Sequence, residues 1–145
     1  MTHHPPKIVK SAVWKPPLQG WLKLNFDGSV RAVEVVANYS GILRNHLEDP
    51  IFIYSGGLQF CDINEIELCA VKEGVSRLQV CHSKVLVEGD LANIISWYKH
   101  PHKAPWLWTS VMDDIQLAIS SKNVVFCHVN CEKNGAADVL ARSAP

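Results

Sequence analysis

No apolar run in this chain approaches the ~18 residues that a membrane-spanning helix needs. The first ten residues also lack the apolar stretch of a secretion signal. Both absences point to an intracellular protein, nuclear or cytoplasmic, with no membrane partner. Net charge is missing too: 14 basic residues balance 14 acidic ones. That excludes strong, sequence-blind binding to nucleic acid, because counterion release by basic side chains supplies most of such affinity. A site that combines metal with a few basic groups stays open. The five cysteines are odd in number and come without a secretion signal, so reduced thiols are expected. Cys127-His128-x-x-Cys131 has no second ligand pair after it, which argues against a structural zinc site. Internal repeats and low-complexity segments are absent. What is present is ordinary globular material: 145 residues, 48% hydrophobic and 19% charged, enough for one monomeric domain with a proper core.

Residues 1–20 hold four of the eight prolines, Pro5, Pro6, Pro16 and Pro17, and read as an irregular leader. Residues 21–145 read as a single domain. Trp21 to Val30 is the first strand, with Leu22, Leu24 and Phe26 on one face and Asp27 on the other. Tyr39 to Leu47 and Ile51 to Leu58 are strand-like runs separated by the turn Glu48-Asp49-Pro50, so the first three strands form an antiparallel meander. Asp62 caps a helix to about Leu78, with Glu65 three residues on. Leu68, Val71, Val75 and Leu78 form its apolar stripe. Lys84 to Glu88 is a central-type strand. Asp90 opens a helix to about Tyr98, and a proline-containing break leads to a helix over Trp106 to Ser120. Its expected core residues are Val111, Ile115, Leu117, Ala118 and Ile119. Asn123 to Val129 is the fifth strand, and Asn134 caps a last short helix. The order βββαβααβα predicts an α/β fold: a five-stranded mixed sheet with helices on both faces.

Four carboxylates stand in four separate pieces of local sequence. Asp27 interrupts a strong apolar alternation in a strand, where Asp is disfavoured, and Gly28 beside it permits close approach to the backbone. Glu67 lies with Val71, Gly74 and Leu78 along the edge of the buried helical stripe, where a carboxylate needs a partner. Asp90 follows a parallel-type strand at its carboxyl end, the place where open α/β sheets bind ligands. Asp138 stands in the first turn of the last helix, where the helix dipole favours an anion. Each has an ordinary alternative on its own: a rim salt bridge for Glu67, a plain N-cap for Asp90, a dipole partner for Asp138. Together they suggest carboxylates aimed at one point. Such convergence is repulsive unless a divalent cation offsets it, and Mg²⁺ held this way does phosphate chemistry.

These fragments resemble the type 1 ribonuclease H family, most closely the ribonuclease H-like domain of plant non-LTR retroelement reverse transcriptases. The matching text is Trp21-Leu22-Lys23-Leu24-Asn25-Phe26-Asp27-Gly28-Ser29, Gly41-Ile42-Leu43-Arg44, Asn64-Glu65-Ile66-Glu67-Leu68, Val87-Glu88-Gly89-Asp90, His128, and Asn134-x-x-Ala137-Asp138-x-Leu140-Ala141. Trp14-Lys15-Pro16-Pro17 is similar to the lead-in of the plant group, so the resemblance covers about residues 14 to 143. It implies hydrolysis of the RNA strand of an RNA–DNA hybrid with two Mg²⁺ ions, Mn²⁺ being a substitute. It places metal ligands and catalytic carboxylates at Asp27, Glu67, Asp90 and Asp138, and a mobile-loop histidine that assists catalysis at His128. The ordinary reading of His128 is an edge residue after an apolar strand. Gly28, Ser29 and Asn64 are the expected contacts to the hybrid, which is read by shape and 2′-OH groups rather than by sequence.

Departures from the family pattern flank these positions. Asn38-Tyr39-Ser40-Gly41 is bulkier than the usual small-residue run, and Leu91 stands where Ser is common. Cys131-Glu132-Lys133-Asn134 replaces a segment that usually begins with Arg, and Val30 to Ala37 is apolar for a loop. The intact carboxylates favour an enzyme. The altered flanks and neutral charge favour a second reading, a catalytically weak or inactive nucleic-acid or protein-interaction domain.

Overall fold

The computed structural model describes residues 7–10, 19–31, 36–59, 62–90, 92, 94, 100, 102 and 106–128. Six strands form one mixed sheet: β1 (Lys7–Lys10), β2 (Leu22–Arg31), β3 (Val36–Arg44), β4 (Pro50–Gln59), β5 (Lys84–Gly89) and β6 (Asn123–His128). Their spatial order is β1-β6-β5-β2-β3-β4. The meander β2-β3-β4 is antiparallel, and β5, β6 and β1 continue the sheet in parallel. The five expected strands are therefore all present in the expected arrangement. The leader corrects the reading of an irregular segment: residues 7–10 form β1, which pairs with β6 from Lys7↔Val125 to Lys10↔His128. Its Lys-Ile-Val-Lys text is too short to announce a strand alone, and a neighbouring edge supplies the hydrogen-bond partners.

Period-two alternation sorts the residues of the sheet. Leu24, Phe26, Leu43, Tyr54, Val85, Val87, Val124 and Phe126 belong to one buried core cluster. Helix α1 (Ile63–Ser76) contributes Leu68, Ala70, Val71 and Val75 to that cluster, and helix α2 (Trp106–Ile119) contributes Met112, Ile115 and Ile119. Leu117, expected in the core, is 64% exposed. At 100° per residue it falls two residues, about 200°, from Ile115, and so leaves the stripe set by Met112, Ile115 and Ile119.

Asp62 caps α1 as expected, its carboxylate accepting from the Glu65 N–H at 2.9 Å. A tyrosine–glycine exchange explains the bulky second strand. Tyr39 lies opposite Gly56 and Gly41 opposite Tyr54 across β3 and β4, so each ring fills the room its partner leaves. The Tyr54 hydroxyl runs on to donate to the Ala70 carbonyl at 2.6 Å, against Gly74 of α1. This buried contact fixes α1 on the sheet. Strands β2 and β3 reach Arg31 and Val36, so the described residues of the Val30-to-Ala37 segment, Val30, Arg31, Val36 and Ala37, are strand rather than loop. Ala92 and Ile94 are helical, Ile94 within the core. The final helix expected from Asn134 lies outside the described residues.

Candidate functional site

Asp27 sits on β2, one residue from the point where α1 crosses the sheet. A Cβ on Gly28 would lie 2.8 Å from Ile66 Cγ2 and 3.4 Å from Glu67 Cγ. The absence of a side chain at Gly28 is therefore used by α1. The helix settles on the strand there, and this brings Glu67 beside Asp27. The sequence reading expected that room to serve a ligand. Gly28 keeps its main chain engaged as well, its N–H donating to Asp27 Oδ1 at 2.9 Å. Asp27 itself is buried.

Asp90 follows the last residue of β5 directly. Parallel pairing sets Asn25 of β2 level with Glu88 of β5, and the same register continued by two residues sets Asp27 level with Asp90. On the other side of β5, Gly89 pairs with His128, the last residue of β6. His128 Nε2 lies 3.1 Å from Asp90 Oδ1, with both side chains half-buried. The histidine expected in a mobile loop thus stands at a strand end, in contact with one of the carboxylates.

The electrostatics join three of the four acidic positions. The Glu67 carboxyl is pushed up to about 8, first by burial and then by the charges of Asp90 and Asp27. Three elements, β2, α1 and the end of β5, therefore deliver carboxylates into one another's field. Asp138 lies outside the described residues. Among the described residues, no group of three or more His, Cys, Asp or Glu side chains is gathered tightly enough to hold a metal ion. The donors nevertheless fit a hard divalent cation in kind: they are anionic oxygens, and the strongest perturbation among them is one that positive charge would relieve. Of the expected substrate contacts, Asn64 is half-buried in the first turn of α1. Ser29 is half-buried, with its Oγ shielded from solvent and lacking a hydrogen-bond partner. Cys69 and Cys81 are free thiols.

One feature of the site escaped the sequence reading. Lys23 Nζ and Glu88 Oε2 form an ion pair at 3.1 Å, with side chains only 2% and 4% exposed. Alternation on β2 puts Lys23 and Asn25 on the face of Asp27, and spacing puts Glu88 two residues before Asp90. Those spacings were the available signal, but polar residues opposite an apolar face ordinarily read as solvated.

A family model described as reverse transcriptase-like matches residues 25–144. The chain belongs to the reverse transcriptase-like family. No curated protein matches it. Several solved structures do. LC11-RNase H1 in complex with an RNA/DNA hybrid superposes with a TM-score of 0.74 at 20% identity, over 85% of this chain and 95% of that one. RNase H1 from the halophilic archaeon Halobacterium salinarum gives 0.70 at 15% identity, over 86% and 96%. The N-terminal RNase H domain of rv2228c from Mycobacterium tuberculosis, solved as a fusion with maltose binding protein, gives 0.71 at 17%, over 86% and 92%. This member of the reverse transcriptase-like family has the ribonuclease H fold. None of its described helices is long and apolar enough to cross a membrane.

Proposed function

We propose that this chain is a metal-dependent endonuclease that hydrolyses the RNA strand of RNA–DNA hybrids. The observation that carries the reading is the state of Glu67, a half-buried carboxyl raised first by burial and then by the charges of Asp90 and Asp27. A structural salt bridge would lower it instead. The fold match to an enzyme solved on an RNA/DNA hybrid supports the substrate class. Asp27, Glu67, Asp90 and Asp138 would hold two Mg²⁺ ions, or Mn²⁺ in their place. When bound, these supply an activated water and stabilise the leaving oxygen.

The protein's own groups supply position and protons. Asp27 and Asp90 are fixed by adjacent parallel strands, and Glu67 by the seating of α1 on Gly28. His128, at hydrogen-bonding distance from Asp90, holds a proton at Nε2 or releases it beside the reacting phosphate. Asn64, half-buried in the first turn of α1, would meet the hybrid's backbone and minor groove, whereas the Gly28 N–H is engaged with Asp27 and the Ser29 hydroxyl is shielded from solvent. A neutral net charge makes that binding weak and salt-sensitive. The same neutrality, with Cys131 in place of an arginine, favours a second reading as an interaction domain with little or no turnover.

The deciding experiment is cleavage of a labelled RNA–DNA hybrid at low salt with Mg²⁺ or Mn²⁺, beside the Asp90→Asn variant. RNA-strand cleavage by the parent alone supports the enzyme and its metal site together. A folded parent that leaves the hybrid intact refutes it in favour of the interaction domain.

A further inference from the structure

We infer that Lys23 and Glu88 are a positioning pair, which act through the two strands to hold Asp27 and Asp90 level with each other. The inference rests on the proposed metal site for its functional meaning, but its structural content stands apart from it.

Four observations carry it. The pair joins β2 to β5, the two parallel strands of which the first carries Asp27 within its length and the second is followed by Asp90. Lys23 pairs with Leu86 in register, so its ammonium reaches diagonally up the sheet to Glu88 rather than straight across. That diagonal ties the direction of sliding between the strands, which straight hydrogen-bonded pairs resist less specifically. A slip of one residue would turn one carboxylate to the opposite face of the sheet. The pair is almost fully buried, and Glu88 Oε1 has no hydrogen-bond partner. A buried ion pair with an unsatisfied oxygen is a poor source of stability compared with two apolar side chains of similar size. Its best-attested use is the selection of one register over others.

Glu88 touches neither Asp27 nor Asp90 among the contacts described, so it acts through the strands. Partners that hydrogen-bond a metal's ligands directly typically change metal affinity by about 10- to 100-fold when replaced, and a pair that acts through the strands reaches that range by displacing the ligands themselves.

The test compares the parent with the double variant Lys23→Met/Glu88→Leu, in which apolar side chains of similar length fill the same space. The single variant Glu88→Gln, which keeps the shape and one oxygen for Lys23, serves if the double variant does not fold. Thermal unfolding in chelator, Mg²⁺ binding by calorimetry, and the NMR positions of the Gly28 amide and the His128 ring are recorded for each. These two probes report the Gly28–Asp27 hydrogen bond and the His128–Asp90 contact without metal. The expected result is a folded double variant that melts at or above the parent, with both probes shifted and Mg²⁺ bound about 10- to 100-fold more weakly. A purely structural pair would change the melting temperature and leave both probes in place. Unshifted probes in a folded variant overturn the inference, whatever the metal does. If the parent itself fails to bind Mg²⁺, the proposed function fails, and the two probes still decide whether the pair positions the strand ends.

Discussion

Glu67→Gln should stabilise this protein in the absence of metal, by an amount that grows as pH rises above about 4.5. The folded Glu67 carboxyl is raised from 4.5 to about 8, so the native state holds its proton more tightly than the unfolded chain does. Below about pH 4.5 both states are protonated and the residue costs nothing. As pH rises from there, the unfolded chain releases the proton while the native protein must keep it or ionise in a half-buried, anionic place. The penalty grows through that window and levels off above about pH 8. At ~1.4 kcal/mol per unit, its ceiling is on the order of 5 kcal/mol, with on the order of 3 kcal/mol present by pH 7. Glutamine keeps the shape and removes the charge. Thermal unfolding in chelator, followed by circular dichroism at several pH values, reads the difference. At roughly 3 °C per kcal/mol for a chain of this size, the variant should melt roughly 10 °C above the parent at pH 7. Near pH ~4.5 the advantage should vanish. A variant whose advantage is the same at every pH, or one less stable than the parent at pH ~9, would refute the convergence of Asp27, Glu67 and Asp90. Saturating Mg²⁺ should reverse the order, because the parent alone gains binding energy from a complete carboxylate set.

Further outcomes follow from the same geometry. Asp27→Asn should abolish hybrid cleavage in a labelled-substrate assay while the circular dichroism spectrum stays that of the parent; cleavage at the parental rate would make the metal assignment wrong. Gly28→Ala should cost about 1–3 kcal/mol in urea unfolding, because its Cβ would meet Ile66 Cγ2 at 2.8 Å and lift α1 with Glu67 on it. Lys23→Met alone should cost about 3–5 kcal/mol in the same measurement by stranding a buried Glu88 carboxylate, far more than the double apolar variant. Ile53→Lys should raise the concentration at which the protein self-associates, as followed by light scattering. Ile53 is 53% exposed on β4, an edge strand with no charged residue along its length.

Much of the fold was written in local pattern. The alternation Leu22, Leu24, Phe26 needs no tertiary partner to announce a half-buried strand, and Asp62 with Glu65 announces a helix start by the chemistry of its own backbone. Glu67 could be placed at the margin of the core because its distance from Val71 and Gly74 is a property of any α-helix. Asp90 could be set at a strand end, and Asp27 on the face of its strand opposite Phe26, from local pattern alone. Features that depend on a second segment were not visible. Leu117 is as apolar as its neighbours, but it stands about 200° around α2 from Ile115 and, with the sheet on the other side, stays in water.

The sequence by itself determined strands β2 to β6, helices α1 and α2 and the capping of α1, because each rests on interactions within a few residues. The tertiary structure alone decided that β1 joins the sheet beside β6, and that α1 occupies the room at Gly28. It also decided that His128 meets Asp90 and that Lys23 and Glu88 are buried against each other. Those are contacts between segments far apart in the chain. Their energies depend on what else packs on a face of the sheet, and neither period nor propensity carries that information.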